Sequence, residues 1–271
     1  VQEVLDSEDK ARRCNLLLSL GEALMPAGEP QRVYETVAAE AYSLAKGIAD
    51  RARASRACGL ALDAVRRYGS TAMAGTPEYR QWAERSDRYA GPGRPDRVFA
   101  DSALAAVQFS EGNLADAWAL TVRALKLARK LDDPEALHLA AAYFILRAPV
   151  QHEEERWRLV TEMAAHPHVG VAPRALGEWL DRSSYVCMDW GDRARAEGIE
   201  EELGQLAERT HEATLTVLSL LAPCRSAYLD GHLEEAVSAA AHLRERAEEL
   251  GAPITGQFFA SLTTFRPLLY L

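Results

Sequence analysis

Cysteine is scarce: Cys14, Cys58, Cys187 and Cys224 are the only four in 271 residues, no two form a CxxC, and the nearest pair is 37 residues apart. That spacing excludes a disulfide framework and a zinc ribbon, and fits reduced core thiols of a cytoplasmic protein. Aromatics are also few, at 7%, while Ala leads an apolar set of 48%. Ala, Leu, Glu and Arg fill helices cheaply and strands poorly, so an all-α chain is expected. No apolar run reaches the roughly 18 residues that span a bilayer, and no charged-then-apolar signal pattern opens the chain. An excess of basic charge is missing too: 31 basic against 40 acidic residues give a net charge of −9. The chain is therefore expected to bind neither nucleic acid directly nor a membrane. It begins at Val1 and stops at an apolar LLYL, as expected of a module cut from a longer polypeptide.

The usual signatures of chemistry are absent as well. GPGRPDR, 91–97, lacks the Lys-Ser/Thr of a phosphate loop. His152-Glu153 opens like the zinc motif H-E-x-x-H, but position 156 is Arg, so these acids read as the favourable first turn of a helix. HPH, 166–168, offers two imidazoles with no third or fourth ligand at a familiar spacing. Ser183 and Ser184 lack a nucleophile elbow and a strand to carry one, and helical serines ordinarily bond to their own backbone. Arg51, Arg53, Arg56, Arg66 and Arg67 share their helix with Asp63 and spread over more than one face, which reads as solvated surface. No catalytic residue, cofactor or metal is expected.

What is present is helical periodicity. Val33, Val37, Ala41, Leu44 and Ile48 step by three and four residues along one stripe, and similar stripes recur to the end, giving twelve or thirteen helices. The stretch 69–95, rich in Gly and Pro, reads as an irregular insertion or hinge around a short helix through Trp82. FSEGNLADA, from Phe109, and YLDGHLEEA, from Tyr228, share an aromatic, a Gly, a Leu and an Ala in register, 119 residues apart. The turn glycines Gly28, Gly112, Gly191 and Gly231 are separated by 84, 79 and 40 residues, or two, two and one units of about 40. Small residues flank them: Gly21, Ala105 and Cys224 lie seven before, while Val33, Ala117 and Ala236 lie five after. Small side chains let paired helices approach, and Gly accepts the positive φ of a tight turn.

This pattern resembles the tetratricopeptide repeat, whose hairpins carry a small residue, a turn Gly and an Ala at this spacing. The hairpins here exceed that family's standard of about 34 residues, and its Trp, Tyr and Pro consensus positions are mostly missing. The run LLLSLGEALMPAGE, 16–29, followed by a helix ending AKGIAD, is more similar to divergent repeats of large bacterial regulators. Those proteins join a signal-transduction ATPase to such repeats and to a LuxR-type DNA-binding domain or a class III adenylate cyclase domain. The resemblance implies one domain over 1–271, an all-α, right-handed superhelix (α-solenoid) of about six antiparallel hairpins. It implies a non-catalytic binding or sensing role towards a protein or peptide, other domains of the parent chain, or a small-molecule effector. Homodimerisation through LLYL, a purely structural scaffold, and an all-α enzyme are the other readings.

In such a stack the first helix of each hairpin lines the concave wall. Tyr143, Trp179 and Tyr185 fall on first helices, with Arg147 and Arg182 beside them. Aromatic and Arg side chains dominate binding hot spots, so these five are the candidate partner- or effector-binding residues. Inter-repeat core is the competing role for the aromatics among them.

Overall fold

A computed structural model describes residues 7–271, without the side chains of Ser7 and of 70–72. The described residues are 82% helical, and no strand occurs among them. The chain divides into two compact units, one ending at Asp132 and the other running from Asp133 to Leu271.

In the first unit α1 is Ser7–Leu24. Pro30–Arg32, a π-turn at Val33–Val37, and Ala38–Gly47 then run on as one helix over 30–47, α2. Next come α3 (Arg51–Gly69), a 3-10 segment (Ser70–Gly75), and α4 (Pro77–Tyr89). Finally come α5 (Pro95–Ser110) and α6 (Leu114–Ala128). The stretch 69–95 is thus more ordered than its Gly and Pro content suggests. Thr76 caps α4 by accepting from the Tyr79 N–H, Pro77 occupies its first turn, and Tyr79 and Trp82 are buried. Pro cannot donate a hydrogen bond, which costs nothing in a first turn, so the breakers there start a helix and do not prevent one.

In the second unit α7 is Pro134–Arg147, α8 is Glu153–Met163, α9 is Pro173–Asp189 and α10 is Arg193–Thr210. Ala213–Ser219 and Leu221–Leu229 form α11, interrupted at Leu220, followed by α12 (Leu233–Glu249) and α13 (Pro253–Tyr270). Asp133 and Asp192 cap α7 and α10 through their carboxylates, the arrangement that satisfies first-turn N–H groups.

Within each unit, helices consecutive in sequence pack together, and the odd-numbered helices also touch in order: α1, α3 and α5 in one unit, α7, α9, α11 and α13 in the other. Five of the turns between consecutive helices are built alike. Gly28, Gly112, Gly191, Gly231 and Gly251 all have φ between 74° and 82°. After each, the next residue's N–H donates to the carbonyl five residues back: Glu29 to Leu24, Asn113 to Gln108, Asp192 to Cys187, His232 to Ala227, Ala252 to Ala247. This is the Schellman closure, for which a left-handed residue is required. Ala49, at φ 55°, makes the same closure, with the Asp50 N–H bonded to Ala45 O. Five residues beyond the five glycines stand Val33, Ala117, Ala196, Ala236 and Gly256, all buried.

Hydrogen bonds between hairpins keep the same period. In the first unit Arg53 reaches back 38 residues to Asn15, and Asp96 accepts from Ser55 at 41. In the second, Arg195 reaches Val160 O across 35 residues, Arg193 pairs with Asp230 across 37, and Arg225 reaches Ser184 across 41. The basic cluster on α3 takes part: Arg56 pairs with Glu22, while Arg66 and Arg67 pair with Asp63 and are only 17% and 18% exposed. It is therefore in part a seam, and only in part a solvated face. The four cysteines are free and buried; burial pushes the Cys58 thiol up to about 12.

Candidate interaction site

Helix α9 lies against its hairpin partner α10 and against α7 and α11, which is why polar groups on it end up inside. Trp179 is 3% exposed and meets His138 of α7 edge-on at 6.3 Å, and His138 meets His168 edge-on at 5.6 Å. The His138 Nδ1 lies 2.8 Å from Pro134 O, one turn back on α7, and burial lowers its pKa. A neutral ring that donates from Nδ1 suits that environment. His168 Nδ1 stands 2.9 Å from Glu202 Oε1 of α10.

Tyr185 forms a second cluster. The Arg225 guanidinium lies 3.9 Å from its ring centroid, donates to Ser184 Oγ at 3.1 Å, and also donates to Glu200. Arg182 Nη1 approaches Asp181 Oδ2 at 3.0 Å. Yet Asp181 is 2% exposed and neither carboxylate oxygen receives a hydrogen bond of good geometry. Burial pushes its pKa up, with Arg182 and Arg225 opposing and Glu178 adding to the rise. Burial wins because desolvation of an ion that lacks hydrogen bonds exceeds the attraction of one imperfect pair. Ser183 and Ser184 donate their hydroxyls to Leu180 O and Asp181 O of their own helix.

Of the five sequence-singled residues, Arg182 and Tyr185 thus meet around Asp181 and Arg225. Tyr143 and Arg147 pair one turn apart on α7, ring centroid to guanidinium 4.6 Å, and both are buried. Trp179 belongs to the imidazole cluster. Sequence reasoning missed Arg225, Glu200 and His138. Arg225 carried a signal, since it lies 41 residues after Ser184, close to the 40 that separate Gly191 from Gly231.

Two further features face solvent. Trp157 and Trp190 stack at 5.4 Å with Arg195 over the Trp157 ring, and Trp190 is 44% exposed. A groove of about 760 Å³ runs along α13, lined by residues that include Glu248, Ile254, Gln257, Phe258, Leu262 and Phe265. Among the described residues no group of three or more His, Cys, Asp and Glu is arranged to hold a metal, and no helix is long and apolar enough to cross a membrane. No protein-family model, no curated protein and no solved structure matches the chain.

The Asp181 environment sets a sign for pH dependence. An acid whose folded pKa is raised contributes stability below its unfolded value and loses it as pH climbs through the folded value. We predict that Asp181→Asn equals the parent at pH values below the usual carboxylate range and exceeds it at neutral pH. Urea midpoints at the two pH values test this. A variant weaker than the parent at neutral pH would mean that Asp181 is a net-favourable ion pair.

Proposed function

We propose that this chain is a non-catalytic, tetratricopeptide-like binding and sensing module of a bacterial signal-transduction regulator. In this reading the hairpins continue as one right-handed superhelix of about six units whose odd-numbered helices form the inner wall. One observation carries the proposal: side chains bond across 35 to 41 residues, from one hairpin to the equivalent place in the next. Such nearest-neighbour contacts are how a helical repeat is held together, and extended surfaces that take peptides or other domains are what repeats provide. The recurring chemistry of the turns supports the stack, so selectivity falls to residues that differ between units, Trp190 and the Tyr185–Arg225 cluster among them.

Binding would bias a linked ATPase or output domain through unequal affinity for its two states. The test is excision of the segment from the regulator that carries it, with basal ATPase activity and output measured with and without inducer. Loss of the inducer response with ATPase retained is expected; an unchanged response removes the sensing role. A structural or oligomerisation role is the second reading, and the apolar face of α13 favours it.

A further inference from the structure

Helix α13 has an unusual composition. Arg266 is the one charged residue within its 18. One face packs inward through Thr255, Gly256, Phe259, Ala260 and Pro267. The opposite face is also apolar and lies open: Ile254 is 36% exposed, Leu262 60%, Phe265 65% and Leu269 66%, with Phe258 half-buried between them. A helix that is apolar all round is one that is covered on all sides.

The spacing says what shape of cover fits. Phe258, Leu262, Phe265 and Leu269 are separated by four, three and four residues, the a/d spacing of a helix–helix seam. Four-three-four reads the same in either direction. An identical helix laid antiparallel therefore sets each Phe258 opposite a Leu269 and each Leu262 opposite a Phe265 of the second copy. Every large ring meets an aliphatic side chain. No like charges face each other along the seam, because its residues are uncharged and Arg266 sits on its flank, near enough to Asp189 to act on that carboxyl.

The exposed centre of this face is Leu262, Phe265 and Leu269, each 60–66% exposed. A standard interface takes about 800 Å² from each partner, so the seam is the apolar centre of a larger contact that Ile254, Phe258 and the groove's rim at Glu248 and Gln257 extend. We propose that the outer face of α13 is a self-association surface on which a second copy of this chain lays its own α13 antiparallel. This rests on the side chains of α13 and not on the sensing role.

The test uses the full 271-residue chain in sedimentation equilibrium between about 1 and 100 µM, the range in which a modest interface changes its dimer fraction. A concentration-dependent dimer is expected. Leu262→Glu and Phe265→Glu should each give a monomer with unchanged helical circular dichroism, since both positions are exposed. Mixing Leu262→Cys with Phe265→Cys chains under mild oxidation should yield the mixed disulfide in preference to either self-pair. A wild-type monomer throughout overturns the proposal and leaves the face to a different helix. A dimer that survives both Glu variants overturns its location, and preferred self-paired disulfides overturn its antiparallel sense.

Discussion

Gly256→Leu is expected to separate α13 from α12 and lower stability by about 3 kcal/mol or more, at the upper edge of overpacking effects. A Cβ built at Gly256 stands 2.3 Å from the Ala247 Cβ, with Arg244 O at 3.4 Å and Arg244 Cα at 3.6 Å. Nothing there can rotate away: a methyl and a stretch of backbone form the wall, so the helices themselves must part. Gly177 makes the contrast. Its added Cβ would meet the Leu215 Cδ2 at 2.2 Å, but that atom ends a flexible side chain, so Gly177→Ala should cost less. Thermal melts of the two variants decide it. A Gly256→Leu protein that melts within about 2 °C of the parent, less than about 1 kcal/mol at this size, would mean that the α12–α13 contact is looser than described.

Trp82→Ala should cost about 3–5 kcal/mol, the range for deleting a large buried aromatic. Trp82 is 4% exposed, meets Tyr42 of α2 edge-on at 5.7 Å, and carries the Arg85 guanidinium 4.5 Å over its ring. The second unit should keep its own transition in urea, so the loss is to be read from a probe within residues 7–132. Trp190→Ala, at a half-exposed site, should change stability by less than about 1 kcal/mol. Equal effects of the two would place 77–89 at the periphery, as a hinge and not as core.

These two sites also show which features were legible in the sequence. The turns at Gly28, Gly112, Gly191 and Gly231 could be read directly, because a left-handed φ is a local demand that Gly meets most easily. The same demand at Ala49 was hidden, since an Ala there looks like ordinary helix. Segment 69–95 was legible in part, through the short helix that Pro77 opens. Its Gly and Pro count is local, whereas its order comes from Tyr79 and Trp82 packing on distant helices, and tertiary contact overrides propensity. Gly256 could have been found. It stands five residues after Gly251, as Ala117 and Ala236 stand after their own glycines, so the small-residue rule already covered it.

The candidate site was less legible still. Tyr143, Trp179 and Tyr185 do lie on the odd-numbered helices α7 and α9. Their depth, however, depends on neighbouring helices: α9 for Tyr143, α7 for Trp179 and α11 for Tyr185, and no spacing within one helix foretells it. Of the partners that organise the cluster, Arg225 lies 41 residues from Ser184 and Glu200 lies 25 residues from Arg225. A reading that compares equivalent positions one period apart would find the first of these contacts. It would not find Glu200, which faces Arg225 across neighbouring helices α10 and α11.

The claim beneath all of this is that one glycine-closed turn recurs along the chain, joining α5 to α6, α9 to α10, α11 to α12 and α12 to α13. Native-state amide hydrogen exchange tests it residue by residue. The amides of Asn113, Asp192, His232 and Ala252 sit just beyond their glycines and donate at 2.8–2.9 Å to carbonyls five residues back. All four should exchange slowly, with protection comparable to that of the last turns of the helices they close. Exchange at the rate of an unprotected peptide at any of these four would contradict the repeat.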